Sequence, residues 1–309
     1  MSVSPEQAPQ LACPGSSPPA PASLALNPSD ALPLMGVFAA VGWAVGVIVS
    51  VLPGISASTR AHAAAVRDHA LIAAFLAGVA AAIGRAAEWV LNDVFRGAGA
   101  SISSHWTIYH FFLNSAILAG SMIAAIGALS AVSAIPLIGP FLAFFAGVVY
   151  GPSTLILTTI LVMSAFQAAT LIALLQAIPI VYPAGFALMA APGKIAKGLG
   201  AFLISLSLVL YVMTPIMPFA IASIASVARG DFKVDPSDLS STLSKICERA
   251  KETFNPTDVV ASFIKWPWDY YRDLFLWLMM VVTGAFLVAL SIALARALSH
   301  SIGGVSASI

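Results

Sequence analysis

The sequence predicts an all-α fold: a polytopic integral membrane bundle of about six to seven transmembrane helices, with a re-entrant or broken segment and an outer amphipathic helical loop. Three observations carry that reading. Of 309 residues, 60% are hydrophobic and 9% charged, against about a quarter charged in ordinary soluble domains. Charge is also segregated, because Lys194 and Lys197 are the only charged residues between Arg96 and Arg229. Finally, uncharged stretches of the roughly 20 residues needed to cross a hydrocarbon core recur, punctuated by Pro and Gly. The net charge of +1 sums 14 basic and 13 acidic residues, so a bulk basic surface for nucleic acid is not indicated.

Residues 1–31 are rich in Pro, Ser and Ala and contain no Lys or Arg. They read as a disordered tail that lacks the basic start of a secretory signal. The membrane domain is expected over 32–298, with a cytoplasmic tail at 299–309. Ala31–Leu52 is a first span closed by Pro53-Gly54. The following link carries Arg60, His62, Arg67, Asp68 and His69. It reads as a solvated cytoplasmic segment, which leaves the acidic N-terminal tail outside. Across the Ala-rich second span, residues 70–95, Arg85 and Glu88 are spaced i,i+3. They are read either as a self-neutralising pair that joins helices or as the polar stripe of an aqueous path.

From Gly97 to Gly193 there is no formal charge. Trp106–Ala134 is a span with a Gly120-x-x-x-Ala124 packing face. Phe141–Tyr150 is too short to cross and is expected to be re-entrant. Ser153–Ala177 is long enough to cross, and Ser164, Gln167 and Thr170 share one side of it. Ile178–Ala191, bounded by prolines, is expected as a separate thin crossing. Pro183, Gly185, Pro192 and Gly193 form a hinge before Lys194 and Lys197, and basic residues in a short loop stay inside. Leu199–Val227 follows as a long helix bent at Pro215 and Pro218.

Residues 229–273 hold seven basic and eight acidic residues and are placed outside, opposite the lysine loop. Asp235-Pro236-Ser237 signals a helix start, and Leu239, Leu243, Ile246, Ala250 and Phe254 lie on one face. A second short helix is expected from Asn255-Pro256-Thr257. Trp266, Trp268, Tyr270 and Tyr271 read as an interfacial belt before the last span, Leu274–Ala295, which ends inside at Arg296 and His300. Cys13 and Cys247 have no C-x-x-C or His partner spacing and read as incidental.

His105, His110 and Asn114 with Gly151-Pro152-Ser153 resemble part of the constellation of rhomboid intramembrane proteases. Residue 154 is Thr where that family has Gly, and no histidine falls between His110 and His300 to activate Ser153. No enzyme activity, cofactor or metal is expected, since Walker, dinucleotide and H-E-x-x-H patterns are missing. A secondary transporter of a small solute or ion, using the two broken segments, is the alternative reading.

Pro183-x-Gly185-x-x-Leu188, then Pro192, Lys194, Lys197 and a Gly200-x-x-Leu203-Ile204 helix reaching Tyr211 and Pro215, resemble the central hairpin of archaeal CedA-type DNA-import membrane proteins. These are themselves similar to the TrbL-type polytopic component of conjugation and type IV secretion systems. The resemblance covers about residues 182–218, with Met189 standing where a basic residue is expected. It implies a membrane platform or channel component of a DNA-transfer machine. Its implied partners are DNA, small pilin-like membrane subunits and a cytoplasmic ATPase within a lipid membrane, with self-association left open. On that reading Lys194 and Lys197 would meet DNA phosphate or the ATPase; the plain alternative is that they set topology and hold lipid headgroups.

Overall fold

A computed structural model describes residues 31–95, 104–132, 147, 151–190, 194–229, 238–253 and 267–303. Every regular element among them is helical. The helices are α1 (Ala31–Val51), α2 (Ala57–Trp89, closed by a π turn at Val90–Phe95), α3 (Thr107–Val132), α4 (Gly151–Ala190), α5 (Lys194–Met213), α6 (Met217–Arg229), α7 (Asp238–Thr253) and α8 (Pro267–Gly303). Stretches within α3, α4, α5 and α8 are long and apolar enough to cross a membrane: Thr107–Ala128, Gly151–Met189, Ala196–Met213 and Tyr270–Ser301. α1 contributes a shorter apolar stretch, Ala39–Val51. Large apolar side chains such as Leu155, Phe166, Ile180 and Phe286 face outward, as suits a lipid surround.

Three expectations are corrected. The second helix does not begin at residue 70 but takes in the link bearing Arg60, His62, Arg67 and Asp68, because α2 already starts at Ala57. Gly54, at φ +89°, turns the chain in the left-handed region open to glycine. The Ser56 side chain then accepts from the Thr59 amide at 3.3 Å, a cap strong enough to start the helix ahead of its apolar part. Nor is Ile178–Ala191 a separate segment, since α4 runs through Pro179 and Pro183. Each proline removes one backbone donor, and helices at membrane depth tolerate this where neighbours shield the freed carbonyls. Finally, Leu199–Val227 is broken rather than bent. α5 stops at Met213 and α6 starts at Met217, with the Thr214 amide and hydroxyl both donating to the Leu210 carbonyl, at 3.0 and 2.7 Å. Pro215 cannot continue the ladder.

One compact unit comprises Ser103–Ile172 and Pro215–Leu287. Its core includes Phe112, Leu118, Met122, Leu157, Trp277 and Met280, all fully buried. Gly284 of α8 lets the helices approach closely: a Cβ there would lie 2.5 Å from Phe112 Cζ and 3.1 Å from Ile221 Cδ1. α7 packs on α3 and α6 through Leu239, Leu243, Ile246 and Ala250, which are buried as the amphipathic pattern predicts; Phe254 lies outside the described residues. Tyr270, one of the aromatic residues before the last apolar stretch, is buried within the protein.

The second unit comprises Ser23–Ile102, Ala173–Thr214 and Val288–Ile309. Within it α1 and α2 pair as an antiparallel hairpin. Gly46 sits so close to α2 that a Cβ would lie 2.8 Å from the Ala63 carbonyl oxygen.

Cys247, on α7, is disulfide-bonded, which corrects its reading as incidental. Spacing motifs reveal local metal or redox sites, and Cys247 belongs to none of them. Cys13 lies outside the described residues, as do the expected re-entrant segment Phe141–Tyr150 apart from Gly147, the helix start at Asn255, and Trp266.

Candidate functional site

The hairpin singled out in the sequence is built from the C-terminal end of α4 and the N-terminal end of α5. Two glycines close it. A Cβ on Gly200 would lie 2.5 Å from the Gly185 carbonyl oxygen and 2.7 Å from the Met189 amide nitrogen, and one on Gly185 would lie 2.8 Å from Ile204 Cγ1. Backbone therefore rests directly on backbone, the close approach that small residues permit between membrane helices. Around the contact Tyr182 and Phe186 are buried and meet edge to face, with ring centroids 5.1 Å apart. Ala201 and Ile204 are buried from the α5 side.

Pro183, expected as a hinge, is part of continuous helix. Gly185 is a packing residue rather than a hinge, because it is buried within α4 against α5. Pro192 and Gly193 lie outside the described residues. Lys194 is the first residue of α5, and Lys197, half-buried, follows one turn later. Two cations thus open the helix whose next turn carries the Gly200 contact, so their backbone is positioned by a rigid close-packed element.

Arg85 and Glu88 do not form the self-neutralising pair. Among the described residues no ion pair joins them; Arg85 is exposed, while Glu88 is half-buried and its charge acts on Tyr211 of α5. The acid therefore lies near the α2–α5 contact, while Arg85 is exposed.

The protease-like constellation is not assembled at His110. Its Nδ1 and Nε2 are both buried without a hydrogen-bond partner, so it makes no hydrogen bond to Ser153. Ser164, on the polar side of α4, is likewise buried with its hydroxyl unbonded, as is the side-chain oxygen of Gln167. No cluster of three or more metal-ligating side chains occurs among the described residues.

Two features escaped the sequence reading. One is the Gly185–Gly200 contact, signalled by the density of Gly over residues 193–200 but not by which helix those glycines would meet. The other is a cleft between α7 and α8, whose two walls come from segments at least 23 residues apart, Arg249 and Arg272 being the nearest in sequence. No family model, curated protein or solved structure matches this chain.

Proposed function

We propose that the chain is a multi-pass membrane protein serving as the platform or channel component of a DNA-transfer machine, with Lys194 and Lys197 on its cytoplasmic face. The observation that carries the reading is the Gly185–Gly200 closure, which joins the two limbs of the hairpin on which the family resemblance rests. A rigid hairpin with two cations at the start of its second limb suits contact with phosphate, which is bound by Lys and Arg independently of base sequence.

Orientation follows from two arguments. Paired lysines in a short loop favour the inside. A disulfide at Cys247 favours an oxidising compartment for α7, because cytosolic thiols are ordinarily kept reduced. The single crossing supplied by α5 separates the two, and α8 returns the C-terminus inside. We place the N-terminus outside, on the basic excess of the link that carries Arg60 and Arg67 and the acidic tail before it.

Cells carrying Lys194→Gln with Lys197→Gln test the function. DNA uptake should fall several-fold while membrane topology is unchanged, because neutral Gln removes phosphate attraction without adding repulsion. Normal uptake in a clean deletion strain would overturn the proposal.

A further inference from the structure

α1 and α2 are packed in a fixed register but are out of step in polarity. A Cβ on Gly46 would lie 2.8 Å from the Ala63 carbonyl oxygen and 2.9 Å from Arg67 Cβ, and one on Gly42 would lie 3.4 Å from Ala70 Cβ. Residues 42–51 of α1 therefore run beside residues 57–70 of α2. Over this stretch α1 is uncharged and turns Trp43, Val45, Ile48 and Val51 outward. At the same level α2 turns out Arg60, His62 and Asp68, and among the described residues none of its large apolar side chains is exposed before Leu71.

An N-terminus outside and a link inside require α1 to cross. Its 21 residues measure about 31 Å at 1.5 Å per residue, which matches the roughly 30 Å of a hydrocarbon core. Gly46 then lies about 8 Å inside the inner boundary, with the Arg67–Asp68 ion pair, closed at 3.3 Å, beside it. Both members are open to their surroundings, with side chains 43% and 62% exposed. The long stem of Arg67 reaches back toward the headgroups, but the short side chain of Asp68 does not. Charged groups at such depth face a protein interior or a water-filled cavity rather than lipid, whereas the α1 side at the same level suits lipid alone.

We propose that residues 57–68 of α2 form one wall of an aqueous inlet that opens on the cytoplasmic side and reaches the depth of Asp68. The wet face ends at Leu71, Ile72 and Phe75, where the exposed side chains of α2 turn apolar. Because Arg67 and Asp68 neutralise each other, the deep end of the wall selects neither sign of charge and suits water and small hydrated solutes. The inlet rests on the crossing of α1 proposed above and on no role in DNA transfer.

The test places single cysteines in the full chain, in a cysteine-free background, and adds a charged, impermeant methanethiosulfonate reagent to inverted membrane vesicles. Ala61→Cys and Ala65→Cys, on the wet face of α2, should react about ten-fold faster than Ile48→Cys, at the same level on α1. Phe75→Cys, beyond the end of the wet face, should be as slow as Ile48→Cys, because a thiol in apolar surroundings stays un-ionised. All four positions are exposed, and thermal unfolding of each variant reports whether the fold is kept. Slow reaction at Ala61→Cys and Ala65→Cys alike would overturn the inlet by showing that lipid or protein covers this face. Reaction at Ile48→Cys as fast as at Ala65→Cys would overturn it differently, since the whole hairpin tip would then stand in water. The expected contrast obtained only from the outer side, in intact cells, would overturn the cytoplasmic opening together with the orientation proposed above.

Discussion

The Trp277 indole Nε1 of α8 donates to the Ser115 hydroxyl of α3 at 3.1 Å, and both residues are fully buried. In hydrocarbon an unpaired indole N–H has no water to turn to, so the bond fixes how the two helices meet. Ser115→Ala should destabilise the bundle by about 0.6 kcal/mol, the average for interhelical hydrogen bonds inside membranes. A double-mutant cycle with Trp277→Phe, followed by unfolding in mixed micelles, isolates the coupling. A coupling of zero would mean that the bond contributes nothing to the association.

Glycine substitutions separate packing from propensity. Gly200→Ala places a methyl against the backbone of Gly185 and Met189, neither of which can move aside without shifting a helix. A loss of about 1–3 kcal/mol is expected, as for overpacked cores. Gly36→Ala, on α1, meets nothing within 4 Å and should be neutral or stabilise by up to about 1 kcal/mol. Equal effects at the two sites, measured by thermal unfolding in detergent, would dissolve the close-contact argument.

The helices themselves were legible because their apolar runs are long and nearly uncharged, and the amphipathic face of α7 because Leu239, Leu243, Ile246 and Ala250 follow a helical period. Where α4 ends was not. Proline is read locally as a breaker, yet Pro179 and Pro183 are carried inside a helix because membrane helices cannot expose irregular backbone to lipid. The α2–α5 and α7–α8 contacts join residues remote in sequence, and no periodicity within either segment names its partner. For the same reason Arg85 and Glu88, neighbours along α2, looked like a pair although no ion pair joins them and the charge of Glu88 acts on Tyr211 of α5.

Oxidation of Cys247 supplies a topological test. Non-reducing electrophoresis should show a mobility change on adding reductant that Cys247→Ser abolishes, and loss of the bond should cost about 2–4 kcal/mol. In a cysteine-free background, Cys introduced at Ser237 should label with an impermeant reagent in intact cells. Cys at Ser306 should label only after permeabilisation. Reversal of that pattern would refute the orientation proposed above.

Glu88 distinguishes platform from carrier. Glu88→Gln should leave DNA uptake near its normal level, because the acid lies at a helix contact rather than in the lysine hairpin. Solute flux in proteoliposomes that depends on both Arg85 and Glu88, together with uptake indifferent to deletion of the gene, would favour a secondary transporter.

The continuity of α4 has a further consequence. At 1.5 Å per residue, its 40 residues measure about 60 Å in contour, twice the roughly 30 Å of a hydrocarbon core. Its outward-facing apolar side chains extend from Leu155, 73% exposed, to Ile180, 72% exposed. That greasy edge is longer than the lipid available to wet it. Tilt or a bend at the prolines takes up part of the excess. Hydrophobic mismatch of this kind drives helices together in a bilayer, so the uncharged mast that precedes the lysine-bearing helix is the part of the chain where such mismatch is greatest.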